Sequence, residues 1–289
     1  MLVILLSLVA GICYTLSGIL ALFGMKESNP ATVTLASMLV NTVFLWPITL
    51  VFSPIILDNR AVLLFALSAA FAPVTGRLLN YKSLEKVGVA TTTSIQGIQP
   101  IFVTILATIF LAEHFPAIVY LAIAITVMGV TIVGRSLSKT NRQKDLTKWA
   151  LLFPFSSTFC YSTSNILRKV GLQVQGLPLL AASFTVSFST IYLFLSLLVT
   201  RQTRQIVITR SSSLYSVLSG IVNSLAWISS FQALQMGAVS IVGTILGLQP
   251  IIGIVLSYLF LRKTEIITLS KIAGAILVVF GVTLISILS

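Results

Sequence analysis

The sequence predicts an all-α integral membrane protein with ten transmembrane helices, set out as two inverted five-helix repeats. Three observations carry that expectation. Apolar runs of about 20 residues recur with hardly an interior charge, the length a helix needs to cross a bilayer. The chain is 57% hydrophobic and 8% charged, with mean hydropathy +1.07, whereas a soluble domain is about a quarter charged. Finally, "GIQP" at 97–100 returns as "GLQP" at 247–250, each inside an apolar run.

Taken from the N-terminus, the spans fall at 2–23, 31–53, 61–81, 88–111, 116–134, 149–169, 177–199, 213–235, 237–261 and 266–288. The first lacks the basic start of a signal peptide and outruns a signal h-region, so it is expected to be retained. The third carries Arg77, the one charge well inside a span. It stands about 24 Å along that helix at 1.5 Å per residue, within reach of snorkelling to the surface. The fourth holds Gly97, Gln99 and Pro100. The longest polar joint, "RSLSKTNRQKDLTK" at 135–148, divides the chain near its midpoint. It gives a first repeat at 1–135, a basic linker at 136–148 and a second repeat at 149–289. Arg168 and Lys169 close the sixth span and read as solvated anchors. Spans eight and nine meet in a tight turn near 236, and the ninth holds Gly247, Gln249 and Pro250.

The repeat extends beyond the four-residue motif. At an offset of 150, "YKSLEKVGVATTTSIQGIQPIF" (81–102) lies over "FQALQMGAVSIVGTILGLQPII" (231–252). At 152, Glu113 meets Glu265 and "GVTIV" (129–133) meets "GVTLI" (281–285). At 147, "CYTLSGIL" (13–20) meets "CYSTSNIL" (160–167). Three ordered matches make the chain a tandem duplication. With an odd number of spans per copy, the second copy enters the membrane from the other side, which is the inverted repeat of many transporters. Interrupted helices in matching positions then point to the binding site.

These stretches, "LEKVGVATTTSIQGIQPIFVTILATIFLAEHF…MGVTIV" and "LQMGAVSIVGTILGLQPIIGIVLSYLFLRKTE…FGVTLI", resemble the EamA repeat of the drug/metabolite transporter superfamily. The shared pattern is an aromatic-x-x-Leu end to span three and a small-residue turn. A proline-bearing span four, an acidic residue and a Gly-rich span five follow. The resemblance covers nearly the whole chain and implies a secondary transporter working by alternating access. It implies amino acids, other metabolites, nucleotide sugars or sugar phosphates as the cargo classes. The family often has a lysine in span one and an arginine in span two, and this chain has neither.

The residues suggest where cargo would sit. Pro73, Arg77, Asn80 and Tyr81 follow i, i+4, i+7, i+8 and share one helical side. Their counterparts Asn223, Trp227, Ser230 and Phe231 do the same. Thr92, Gln96 and Gln99 form a stripe in span four, matched by Val242, Leu246 and Gln249. Tyr14 and Ser17 match Tyr161 and Ser164, and span six adds Asn165. Polar faces are costly against lipid, so they are expected to point inward. The candidate contacts are therefore Tyr14, Arg77, Asn80, Tyr81, Gln96, Gln99, Tyr161, Asn165, Trp227 and Gln249, with helix breaks at Gly97, Pro100, Gly247 and Pro250. Each proline removes a backbone hydrogen bond; a kink that shapes packing and one that lines a cavity both fit.

The exclusions narrow the function. The acids Glu27, Asp58, Glu85, Glu113, Asp145 and Glu265 all fall in joints or at span ends, with Glu113 and Glu265 expected to end helices and pair with basic groups. His114 reads as a surface residue. A buried acid or histidine is what a proton-coupled pump needs, so facilitated efflux or exchange is expected. Cys13 and Cys160 read as small packing residues. No catalytic set, metal site or cofactor motif stands out, and net charge +12 comes without the basic, aromatic-interleaved region that nucleic acid needs. Fifteen of the 18 basic residues lie in or beside odd-numbered joints, which places those joints in the cytoplasm and both termini outside; the family's usual arrangement has the termini inside. The expected protein is thus a multi-pass transporter of the cell (inner or plasma) membrane, monomer or homodimer. It carries a small polar metabolite such as an amino acid or organic anion. The alternatives are a nucleotide-sugar or sugar-phosphate exchanger and a non-transporting scaffold.

Overall fold

The structure is a computed structural model that describes residues 1–56, 58–80, 82–83, 86, 95–113, 116–138, 148–200, 207, 209–249, 251–252, 256, 273–274, 276–277, 280–281 and 284. The described elements are helical. They are α1 (Leu2–Gly24), α2 (Pro30–Phe52), α3 (Asn59–Ala69), α4 (Gln99–Leu111), α5 (Ala117–Ser138), α6 (Leu152–Gln175), α7 (Pro178–Val199), α8 (Arg210–Met236) and α9 (Val239–Leu246), with a wide-turn π segment at Ala70–Thr75 and a 3-10 turn at Lys148–Leu151. Among the described residues, five stretches are long and apolar enough to cross a membrane: Leu2–Gly24, Pro30–Phe52, Asn59–Asn80, Pro178–Val199 and Arg210–Met236. Most of span ten, and most of span nine from Pro250 onwards, lie outside the described residues.

Local chemistry sets the ends. Asn29 Oδ1 accepts from Thr32 N at 2.8 Å with Pro30 in the first turn of α2. Asp58 Oδ1 accepts from Arg60 N at 2.8 Å and Ala61 N at 3.2 Å at the start of α3. Both are N-caps that take up orphan backbone donors. At the far end of α6, Gly176 has φ +68 and donates its N–H to Leu172 O at 2.7 Å. This is the left-handed cap that glycine supplies, and Pro178 then starts α7.

By contacts the chain divides into two units, each drawing on both halves of the sequence. One comprises residues 1–5, 71–166 and 237–289; the other, 6–70 and 167–236. In the second unit, α2 packs on α7 and α8. Thr42 pairs with Thr190 (3.0 Å), Trp46 Nε1 donates to Ser187 Oγ (2.8 Å), and Thr49 pairs with Ser183 (2.7 Å). The two numberings run in opposite directions at helical spacing, so α2 and α7 are antiparallel. Side-chain hydrogen bonds of this kind hold membrane helices together where apolar surface gives no preference over lipid.

Small residues set the other face of α2. Ser224 Oγ donates to Asn41 Oδ1 at 2.7 Å, and Gly220 of α8 lies so near α2 that a Cβ would meet Ser37 O and Val40 Cβ at 2.7 Å. Gly18, by contrast, has nothing within 4 Å. Gly220→Ala is therefore expected to lower the detergent-solubilised melting temperature, at a cost of ~1–3 kcal/mol for the forced shift. Gly18→Ala is expected to be neutral or to stabilise α1 by up to ~1 kcal/mol. Equal melting temperatures for Gly220→Ala and wild type would remove the close-approach account.

Candidate functional site

In the first unit the polar site is built around two breaks. The third span does not run as the single helix expected: Ala72 has φ −151 and ψ 132, so Pro73 does not continue a regular Pro73–Arg77–Asn80 face. A residue before proline is driven into this extended region, and the proline has no N–H to give the preceding turn. Hydroxyls of α6 donate to carbonyls beside the break. Ser164 Oγ donates to Ala72 O at 3.3 Å, and Ser157 Oγ to Gly76 O at 2.8 Å. Beyond the break, Asn80 Oδ1 accepts from Gln96 Nε2 at 2.9 Å, so two sequence-predicted residues meet. Tyr161 lies against Gly76, where a Cβ would stand 3.4 Å from its Cζ. Arg77 is half-buried and Asn165 is buried.

The second break is at Gly97–Ile98, a turn. Ile98 N donates to Ile95 O (3.1 Å) and Ile101 N to Ile98 O (3.0 Å), the tight i−3 bonds of a helix boundary. Pro100 therefore stands in the first turn of α4, where its missing N–H removes no bond. It is a helix start rather than an interior kink, and Gln99 has no broken backbone to repair. The two copies of the motif meet here. A Cβ on Gly247 would lie 3.0 Å from Pro100 Cγ, and one on Gly243 would lie 2.8 Å from Val103. Gln99 and Gln249 are half-buried. Tyr81, Thr92 and Pro250 lie outside the described residues.

In the second unit the sequence reading needs a correction. Arg168 is not a solvated anchor, because α6 continues to Gln175 and leaves it two turns inside the helix. Its side chain is 7% exposed, with Cζ 4.7 Å from the Trp227 ring centroid and 5.7 Å from that of Phe231. Trp227 stacks on Phe231 (5.6 Å, 26°), and Tyr14 meets Trp227 edge-on at 6.4 Å. A falling hydropathy along "RKVGLQVQ" concealed this; the Gly-Leu-Pro stop at 176–178 was the available signal for the true helix end. Lys169 differs from its neighbour, donating to Leu234 O at 2.7 Å in the last turn of α8, where a cation suits the helix dipole. Ser17 Oγ donates to Ser219 O at 3.0 Å, a bond from span one to span eight.

Comparison with known proteins decides the class: the pattern of the EamA-like transporter family matches residues 1–135 and 148–287. The chain belongs to the EamA-like transporter family. It is a multi-pass integral membrane protein of a family of transporters, not of enzymes. It is similar to an uncharacterized transporter of Archaeoglobus fulgidus, 26% identical over 168 residues, which is 58% of this chain and 60% of that relative. A solved crystal structure is similar over 99% of this chain and 96% of its own at 13% identity, with a TM-score of 0.80, and so shares the fold.

A groove of about 390 Å³ in this EamA-like transporter is lined by α4 and α5 residues such as Ile101, Ile105, Ile109 and Tyr120. Its threonine hydroxyls, Thr104 and Thr108, donate to Pro100 O and Thr104 O of their own helix. Glu113, expected to pair with a basic group, instead accepts from Val239 N and Ser240 Oγ, both at 2.9 Å, at the start of α9. A carboxylate there satisfies orphan donors and meets the positive helix end. Glu265 and His114 lie outside the described residues.

Two measurements test this geometry. Glu113→Ala is expected to lower thermal stability by ~1–2 kcal/mol, the worth of an N-cap, with Glu113→Gln losing less; an unchanged Glu113→Ala melt would reject the cap. A double-mutant cycle of Asn80→Ala and Gln96→Ala should give ~0.6 kcal/mol of coupling, as for hydrogen bonds within membranes, and strict additivity would show that the pair contributes nothing jointly.

Proposed function

We propose that this chain is a secondary transporter moving a small polar metabolite, an amino acid or related organic anion, by alternating access as facilitated efflux or exchange. Its architecture in this reading is ten transmembrane helices as two inverted five-helix repeats, 1–135 and 149–289, joined by the basic linker 136–148, in the cell membrane. What carries the proposal is the meeting of Gly247 with Pro100. Two helix interruptions from corresponding places in two halves pack together, the arrangement that surrounds substrate sites in inverted-repeat transporters.

Supporting this are hydrogen-bonding side chains held within membrane helices: Asn80 with Gln96, the half-buried Gln99 and Gln249, and buried Asn165. Polar groups at membrane depth mark substrate paths. Tyr14, Arg77, Tyr81, Tyr161 and Trp227 complete the proposed contacts. The three described acids cap helices or bond a loop hydroxyl: Asp58 and Glu113 as above, and Glu27 with Thr209. That fits exchange or facilitated efflux.

The test is transport by purified protein in proteoliposomes against a library of amino acids and organic acids. Asn80→Ala, Gln99→Ala and Trp227→Ala should each lower the rate by about tenfold, and a proton uncoupler should leave the wild-type rate unchanged. Unaltered kinetics in all three variants would sink the contact set, and strong proton dependence would sink the uncoupled mechanism.

A further inference from the structure

We infer that the groove between α4 and α5 holds one unbranched acyl chain of a bilayer phospholipid. The inference needs only the membrane, not the cargo. The groove arises from how the two helices are supported. α4 packs more closely on α9 than on α5, and a Cβ on Gly243 of α9 would stand 2.8 Å from Val103. α5 leans instead on the tenth span. Leu284 packs on the cluster of Val119, Ala122, Ile123 and Val127, and a Cβ on Gly281 would stand 2.8 Å from Ala122 O. Each helix of the pair is thus drawn towards the second half of the chain. A wedge of about 390 Å³ is left between them, within the range of small-ligand pockets.

The wedge opens outward. Ile105 is 51% and Ile109 67% exposed, and Ile101 and Tyr120 are exposed with them. Among the described lining residues none is charged, and the Thr104 and Thr108 hydroxyls donate to carbonyls of their own helix, so these hydroxyls ask nothing of an occupant. The dimensions fit one leaflet. α4 begins at Gln99, midway along the fourth span. From Ile101 to Ile109 is about 12 Å at 1.5 Å per residue, against about 15 Å for half the hydrocarbon core. Tyr120, in the first turn of α5, stands at the outer end, where tyrosine suits the headgroup boundary. A helix of a second copy would need a seam through the full core, about 30 Å, whereas this wedge ends near the middle.

Apolar surface has no preference for protein over lipid, so it is contact that holds the chain. A wedge touches it on two sides, and left empty the walls would forfeit those contacts. Isoleucine is stiff at χ1. Walls built from Ile101, Ile105, Ile109 and Ile123 therefore take a slender chain and do not yield to methyl branches.

The purified full-length chain, delipidated in detergent, is titrated with three lipids: palmitoyl-oleoyl phosphatidylcholine, the phosphatidylglycerol with the same chains, and methyl-branched diphytanoyl phosphatidylcholine. Native mass spectrometry counts bound lipid, and thermal melting reports its effect. One palmitoyl-oleoyl phosphatidylcholine should bind saturably per chain and raise the melting temperature. Ala124 lines the wedge and is exposed, so A124F fills the wedge without entering the core. It should weaken binding at least about tenfold, and T108F is the second blocking variant should circular dichroism show A124F misfolded. L121F, exposed on α5 outside the lining, should bind as wild type. The phosphatidylglycerol should match the phosphatidylcholine within about twofold, and the branched lipid should bind more weakly than either. No saturable lipid, wild-type affinity in the folded blocking variants, a requirement for the anionic headgroup, or equal affinity for branched chains would each overturn the assignment. So would a wild-type dimer that A124F splits, which would give the wedge to a second copy.

Discussion

A backbone carbonyl released inside a bilayer has no water to turn to, so each departure from helical geometry needs a donor from a neighbouring helix. The break at Ala72–Pro73 shows the consequence. Proline imposes the extended conformation on Ala72, and the Ser164 and Ser157 hydroxyls of α6 bond the Ala72 and Gly76 carbonyls beside the break. Ser17, the repeat counterpart of Ser164, likewise donates to a main-chain carbonyl, Ser219 O, within a regular helix. α6 is hydroxyl-rich, and a helix that bonds a neighbour through its side chains is less apolar than one that meets lipid. Such a helix does not look like a membrane span by hydropathy alone, although it is 24 residues long.

That conflict explains what the sequence revealed and what it concealed. The repeated Gly-x-Gln-Pro strings marked the right places, because glycine and proline act on the backbone directly and leave their signature whatever surrounds them. The first two spans also lie close to their helices, since lipid-facing residues such as Val43 and Val51 keep them apolar. Arg168 was read as a surface residue because hydropathy averages over all faces of a helix. A charge on an inward face looks the same as a charge at an end until the end itself is located. The Pro73 break was likewise read as a continuous face, because spacing rules assume a regular helix.

The placement of charge divides along one line. Asp58 and Glu113 sit at helix N-termini and Lys169 meets a helix C-terminal carbonyl. Each sign meets the opposite end of a helix dipole, so these side chains serve the ends of elements. Arg168 is placed differently. It stands two turns inside α6 against two rings, where an aliphatic side chain would fill space without the cost of desolvating a charge.

The same elimination applies within the repeated motif. Proline at position 100 is explained by the start of α4, which tolerates its missing N–H. Glycine at 247 is explained by contact, because a Cβ there would stand 3.0 Å from both Pro100 Cγ and Thr244 O. The glutamine is the member that neither requirement explains. With Pro100 at a helix start, Gln99 has no severed hydrogen bond to replace, and its partner Gln249 is half-buried as it is. A polar amide kept in both copies, without a backbone duty at Gln99, supports the cargo-facing contact proposed above.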